Sequence, residues 1–526
     1  MQRRELLKAS AAGLSALAMP AVLRAAENRR LTFIPQADLA VLDPVWTTAD
    51  VTRNHGYLVF DTLYGLDASY RAQPQMVEAH GVEEDGRRWR LSLREGLKFH
   101  DGSPVLARDV VASLKRWAAR DAFGLALLQA TDELAAVDDK VVQFRLKRPF
   151  ALLPDALGKP GSNMPCIMPE RLAKTDPFQP VTEMVGSGPY RFVASERVSG
   201  SQVVYERFDG YVPRASGSAS FTAGPKRAHL ERIHWTVIPD AATAANALLS
   251  GEADWWEQPP VDLLALLAPG GKVSVKVDDA ASSIGIMRFN FLFPPFDNPA
   301  IRRAILPAIN QADFMTAVAG SDRHYWRDHI GVFNAVSPLA TDAGTAVMAG
   351  NADAAKRALE AAGYRGERVV VLAPGDFPSI YALAEVGSDL LRKLGMTVDL
   401  QVLDWGTVVQ RRTSKAPPDQ RGWNIFFTYL QGPNEFSPAA HLGIRANGDK
   451  AWFGWPDDPK LEALRQDWFA ATDLANQKRI CRAIQDEAWR FVPFVPLGQY
   501  FLPTAYRRDL QGVREGFAQF YDVHFG

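Results

Sequence analysis

LKFHDGSPVLARDV, residues Leu97 to Val110, sets a histidine beside an aspartate, with a glycine and a serine close behind. His100, Asp101 and Ser103 are the residue types of a hydrolytic triad. A triad, however, draws its members from separate elements brought together by the fold. Neighbours in an extended or turning chain instead point their side chains apart. Asp101-Gly102-Ser103-Pro104 reads as turn chemistry, because glycine tolerates a positive φ and proline presets its own. Beyond the turn, Val110, Leu114, Trp117 and Ala118 recur at helical spacing, with Asp109 near the positive helix start. The stretch predicts a turn followed by an amphipathic helix, not an active site.

The flanks extend this reading. RLTFIPQ (Arg30–Gln36) is a plausible first strand. In GRRWRLSLR, Trp89, Leu91 and Leu93 alternate with Arg88, Arg90 and Ser92, the pattern of a half-buried strand. KVVQFRLKRP repeats it with Val142, Phe144 and Leu146 after a turn at Asp138-Asp139. Antiparallel β structure with a few helices is predicted here. From about Gly186 the texture changes to alternating helix and strand. RIHWTVIPD is a strand, and the helix after it ends at Gly251, whose missing Cβ suits a left-handed cap. SIGIMRFNF is a strand; Asn298 then caps a helix with Pro299 at its first position. DAAKRALEAAGY, ERVVVLAP, YALAEVGSDLLRKLG, TVDLQVLD and WNIFFTYL continue the alternation, which predicts mostly parallel sheets flanked by helices.

The chain begins MQRRELLKASAAGLSALAMPAVLRAAENRR, with Arg3-Arg4 ahead of an apolar run from Ala11 to Leu23 that is too short to span a bilayer. Arg-Arg-Glu-Leu-Leu-Lys resembles a twin-arginine export signal, with cleavage expected near Ala25 or Ala26. Residues 1–26 carry Arg3, Arg4, Lys8 and Arg24 against Glu5, a net +3, so their removal takes the formal charge from −1 to −4. An acidic chain without basic runs lacks the electrostatic footprint of a nucleic-acid binder. Cys166 and Cys481 are far apart in sequence and read as spare buried thiols rather than a disulfide framework.

Taken together, the block from Val59 to Trp117 resembles the extracellular solute-binding proteins of family 5, the peptide and nickel class that serves ABC importers. Leu42-Asp43-Pro44, Phe60–Leu66, LREGLKFHDGSPV, GSGPYRFV at Gly186–Val193 and the Asn290…Pro294-Pro295-Phe296-Asp297 segment carry the resemblance. One small departure is Leu106, where the family often has Ser or Thr before the helix. The resemblance implies a two-lobed α/β binding protein of the type II-like class, with an additional β-rich domain and a ligand cleft between the lobes. On that basis 1–26 is the signal peptide, 27–58, 187–283 and 495–526 form lobe I, 59–186 the extra domain and 284–494 lobe II. It further implies a monomeric periplasmic receptor that does not span the membrane and that hands a peptide or small solute to ABC permease subunits. The lobes are expected to pivot near Gly186–Tyr190 and Phe494–Tyr500.

Rival chemistry finds little support in the residues. G-x-S-x-G, H-E-x-x-H and G-x-x-x-x-G-K-[ST] are all missing, and Gly186-Ser187-Gly188 is too short for a dinucleotide fingerprint. No cofactor, catalytic residue or metal site is therefore expected, although the nickel ligands of the family leave open a contact of His324 and His329 with a metal chelate. An exported hydrolase and a peptide-holding chaperone are the alternative classes. Turnover of a bound ligand would favour the first, and loose binding of unfolded segments the second. The expected ligand contacts are Trp46, Thr47, Trp255, Trp256, Tyr429, Gln431, Asn434 and Glu435, since pockets combine aromatic walls with a few placed polar groups. Peptide binders of this family commonly set an aspartate after the strand matching WNIFFTYL, to pair with the ligand's ammonium. Here Thr428 to Phe436 contains no aspartate, and Glu435 is its sole anion. A peptide anchored by Glu435 and a polar solute without an α-ammonium both fit this loop.

Overall fold

The computed structural model describes residues 30–526, apart from 162, 268–269, 278–280 and 472. The expected signal peptide lies outside the described residues. Val77–Glu83, Arg88–Leu93, Val141–Leu146 and Thr131–Ala136 form a four-stranded antiparallel sheet in that spatial order. Its alternation follows the sequence: Trp89, Leu91, Leu93, Val142, Phe144 and Leu146 are all buried, while Arg90 is exposed.

The Leu97–Val110 stretch is a turn leading into the helix Ala107–Ala118. Gly102 has φ +86°. Asp101 accepts from the Ser103 amide at 3.0 Å and from its hydroxyl at 2.6 Å, closing the turn on the surface. Asp109 accepts from the Leu106 amide at 2.8 Å, tying down the helix start. His100 turns the opposite way, into the protein. Its Nδ1 accepts from the Gly186 amide at 3.2 Å, and its Nε2 lies 3.0 Å from the Gly188 carbonyl. These contacts select the neutral tautomer with the proton on Nε2, and burial lowers its pKa to about 4. The apparent triad is thus an external turn and an internal clamp, and the clamp binds the β-rich region to the segment leaving it.

Two larger sheets account for the rest. The first has seven strands in the order Val273–Lys276, Thr504–Arg507, Trp255–Trp256, Arg30–Ile34, Arg232–Thr236, Gln202–Arg207 and Tyr190–Phe192. The second has six, in the order Trp326–Arg327, Phe494–Tyr500, Ser283–Phe289, Ile425–Gln431, Arg368–Pro374 and Thr397–Leu403. Both are mixed rather than mostly parallel. Parallel pairing occurs where a helix carries the chain back over the sheet, as the helix Pro378–Lys393 does between Arg368–Pro374 and Thr397–Leu403. Ser283–Phe289 pairs antiparallel with both its neighbours, whereas Arg30–Ile34 and Arg232–Thr236, joined by the long excursion through the β-rich region, pair in parallel. Helix boundaries fall at the expected residues. Gly251 is left-handed at φ +84°, and Asn298 accepts from the Ala300 amide at 2.9 Å.

Two passages join these sheets, one between Lys276 and Ser283 and the other between Tyr500 and Thr504. The expected pivot segments are placed differently. Phe494–Tyr500 is a fully buried strand of the second sheet. Gly186–Tyr190 links the β-rich region to the first sheet, and Gly186 is so close to Val59 that a Cβ would lie 1.9 Å from its carbonyl oxygen. Packed and clamped by His100, that segment is a poor place for backbone rotation.

Buried charges hold the β-rich region to the first sheet. Asp43 of the Leu-Asp-Pro segment accepts from Arg116 at 2.7 Å and from the Val45 and Val181 amides at 2.9 and 2.8 Å. Asp61 accepts from Lys226 at 2.8 Å and from the Tyr211 hydroxyl at 2.8 Å. Each carboxylate is fully satisfied, the condition under which a desolvated ion pair is tolerated. Cys166 and Cys481 are buried free thiols, as the sequence suggested.

Candidate functional site

Three adjoining hollows lie where the halves built on the two large sheets meet. The innermost is a narrow hollow between Gln36 and the first turn of the helix Asp50–Val59 on one side, and Phe377, Trp405, Arg412 and Tyr429 on the other. A neighbouring narrow hollow shares Gln431 with it and adds Trp255, Glu257 and Phe517. The outer one, the roomiest of the three at about 520 Å³, shares Gln36 and Phe377 with the innermost and is walled by Trp256 and Pro259-Pro260. The size of the outer hollow, and the mix of aromatic walls with few polar groups in all three, suit a small-molecule or peptide cleft that the closed halves have narrowed.

A line of hydrogen bonds crosses this cleft. Arg53 donates to Asp50 at 3.2 Å, to Asn54 at 2.7 Å and to the Gln431 side-chain oxygen on the opposite half. Its guanidinium also stacks 4.0 Å from the Phe517 ring. Asn54 donates to Glu257 at 2.6 Å, and the other Glu257 oxygen accepts from the Gln36 amide at 2.8 Å. The Gln36 side chain then accepts from the Tyr429 hydroxyl at 2.8 Å, returning to the far half. The strand Ile425–Gln431 therefore ends in a neutral amide held by a cation.

The structure brings five of the eight expected contacts to the cleft: Trp255, Trp256, Tyr429, Gln431 and Asn434. As alternation requires, Trp255 and Trp256 face opposite sides of their strand and wall different hollows. Trp255 also donates to Thr504 at 2.7 Å and packs 5.1 Å from Phe33. Trp46 lies outside these walls, donating to the Phe178 carbonyl at 3.2 Å. Thr47 sits just beneath, where its hydroxyl accepts from the Ala49 amide at 3.2 Å and shapes the entry to the helix. Glu435 is completely buried behind the cleft, neither carboxylate oxygen has a hydrogen-bond partner, and burial raises its pKa well above the ordinary carboxylate range. His329 is 84% exposed, and among the described residues no group of three or more His, Cys, Asp or Glu could hold a metal ion.

Arg53, Glu257, Gln36 and Arg412 were not among the expected contacts. A signal for Arg53 existed: DVTRNHGYLV sets an aspartate, an arginine and an asparagine in one short helix, and all ten of its residues are buried. Polar residues on every face of a buried helix must be meeting other polar groups.

Burial raises the Glu257 pKa from 4.5 to about 7, opposed by the amide of Gln36, the charge of Arg53 and the bond from Asn54, and reinforced by Asp50. A carboxyl with a folded-state value above its unfolded one contributes stability that is full below the unfolded value. That contribution is lost as the pH rises through the folded value, here between 4.5 and about 7. The loss amounts to about 3 kcal/mol. Buried neutral histidines such as His100 and His441 add stability as the pH rises, so the comparison isolates Glu257: in urea unfolding across this range, Glu257→Gln should gain stability relative to wild type as the pH increases. Equal pH dependence in the two proteins would contradict this assignment.

A model of the middle region of bacterial extracellular solute-binding proteins, family 5, matches residues 71–444. The probable peptide ABC transporter periplasmic-binding protein y4tO of Sinorhizobium fredii is 33% identical over 521 residues, covering 98% of this chain and 97% of that protein. The glutathione-binding protein GsiB of Pectobacterium atrosepticum is 26% identical, over 97% of this chain and 96% of its own. Among solved structures, the binding protein AgaA of A. tumefaciens in complex with agropinic acid matches with a TM-score of 0.79 at 22% identity, covering 94% of this chain and 99% of AgaA. DppA from Helicobacter pylori, in complex with the peptide STSA, matches with a TM-score of 0.77 at 19% identity, over 94% and 98% of the two chains. The two-lobed fold is common to them. The chain belongs to the bacterial extracellular solute-binding proteins of family 5, binding proteins rather than enzymes, which take up a small solute or peptide and pass it to an ABC permease.

Proposed function

We propose that this protein is the periplasmic, non-catalytic receptor of an ABC importer, capturing a di- or oligopeptide or a related polar solute in the cleft between its halves. The observation that carries this reading is the polar line from Arg53 to Gln431 and from Gln36 to Tyr429, which joins the halves across an aromatic-walled hollow. A solute entering there exchanges these contacts for its own, so binding and closure are one event. The names of the relatives support a peptide or a peptide-like compound. Gln431, already held by Arg53, offers no charge to a ligand ammonium, and Glu435 lies buried behind the wall. A ligand recognised without its α-ammonium fits the cleft better than one anchored through it.

Calorimetry with free and N-acetylated di- and tripeptides separates these ligands. The expected result is that acetylation changes affinity less than about threefold, since Asp50 and Glu257, the buried carboxyls nearest Gln431, are already held by Arg53 and by Asn54 and the Gln36 amide. Binding abolished both by acetylation and by Glu435→Gln would instead make Glu435 the anchor. Catalytic conversion of the bound compound would overturn the receptor reading. Export through the twin-arginine route, read from Arg3-Arg4, has its own test. Changing both arginines to lysine should strand the precursor in the cytoplasm, and unimpaired export of that variant would refute the route.

A further inference from the structure

We infer that Glu435 sits in a latch between the two halves and takes up a proton when they close, so that capture of a solute is coupled to protonation of the receptor. This rests on the receptor reading given above.

The latch is the short helical turn Gly432–Glu435, with Phe436 after it, at the end of the strand Ile425–Gln431. Its backbone is tied to its own half. The Asn334 amide donates to the Glu435 carbonyl at 3.1 Å, and the Ser337 hydroxyl to the Phe436 carbonyl at 2.6 Å. The side chains on either side of Glu435 reach the other half instead. Asn434, 3% exposed, sets its side-chain oxygen against Gly161 of the β-rich region, so closely that a Cβ there would lie 1.7 Å from it. The Phe436 ring meets the Tyr70 ring edge-on at 4.7 Å, and Tyr70 packs on that side against Phe221 at 5.8 Å. Glu435 is thus enclosed between two contacts that require the halves to be together.

Its carboxyl is completely buried, and neither oxygen has a hydrogen-bond partner among the described residues. Asp43 and Asp61, equally buried, show the contrast, because each meets a cation and a second donor. The groups around Glu435 offer no such pairing. Tyr500 brings a phenol that burial keeps neutral, and Asp50, whose charge also bears on that phenol, is an anion held by Arg53. His441, further along the loop, is neutral, its pKa lowered to about 4 by burial. Lys159, two residues before Gly161, is paired with Asp121 at 2.7 Å. A carboxylate deprived of both water and donors protonates rather than stay charged. Burial accordingly lifts the Glu435 pKa well above the carboxylate range. When the halves part, water reaches the group and its value returns toward the ordinary one of about 4.3. The closed form has the higher value and binds the extra proton. Protonation therefore favours closure fully below the open-state value, and this contribution is lost as the pH rises toward the closed-state value.

Isothermal calorimetry with trialanine at neutral pH, in phosphate and in Tris, counts the protons taken up on binding, because the two buffers differ in ionisation enthalpy. Glu257, also raised by burial, contributes in the same direction, so wild type is compared with Glu435→Gln. Wild type should take up about one proton more per bound ligand, and its affinity should fall by up to about tenfold more per pH unit between roughly pH 6 and 8. Equal uptake in the two proteins, or binding to wild type without uptake, would overturn the inference. Glu435→Met takes the place of Glu435→Gln should the latter fail to fold. Should trialanine not bind, the compound released from natively purified protein replaces it. If that compound does not rebind, the receptor reading itself falls, and the latch with it. Gly161→Ala tests the seat of the latch. Its Cβ should hold Asn434 away, weaken binding and bring proton uptake toward that of Glu435→Gln. Unchanged affinity and uptake in Gly161→Ala would place the burial of Glu435 within one half and refute the latch.

Discussion

Arg53 stands on the helix Asp50–Val59 with its guanidinium between Asp50, Asn54 and the Gln431 amide of the other half, over the face of Phe517. Removing a cation from water is costly unless acceptors replace the lost hydration. Part of that replacement crosses the cleft, so full satisfaction of Arg53 requires the two halves to be together. Glu257 is tied into the same arrangement through Asn54, and Gln36 through Glu257 and Tyr429. Closure thus draws on a few hydrogen bonds of about 1 kcal/mol each, together with aromatic contacts such as those of Phe469 with Phe123 and Phe150. Such a balance is easily tipped by a ligand that binds one state better, which is what a receptor needs.

The β-rich region is held quite differently. The pairs Asp43–Arg116 and Asp61–Lys226 are complete within one side of the cleft, and His100 clamps Gly186 and Gly188. None of these contacts changes partners when the halves separate. Among the described strands, by contrast, the chain itself passes between the large sheets before Ser283 and after Tyr500. Stability and motion are therefore assigned to different parts of the chain.

Much of this was legible in the sequence because it depends on local chemistry. The alternation of Trp89, Leu91 and Leu93 marks a strand with one buried face, and Asn298-Pro299 and Gly251 punctuate helices by their own backbone preferences. The turn at Asp101–Pro104 could be told from a triad by geometry alone. Sheet pairing was less legible: helix–strand alternation implies parallel neighbours only when each helix returns the chain beside the strand it left. Ser283–Phe289 pairs instead with strands more than a hundred residues away. The cleft was legible where it is aromatic, as at Trp255-Trp256, and obscure where it is charged. Arg53, Glu257 and Arg412 come from three distant segments, and their roles arise from who faces whom once the halves meet. Glu435 illustrates the converse, since an anion in the right loop is no ligand anchor until the fold turns it toward the cleft.

The central claim is that the two halves close on a solute. Small-angle X-ray scattering tests it directly on protein purified without denaturation, compared with the same protein unfolded, dialysed free of ligand and refolded. The stripped protein should be more extended, and adding back the compound released by unfolding should restore the compact profile. Identical profiles for the native, stripped and reconstituted protein, with the released compound shown to rebind, would contradict the account.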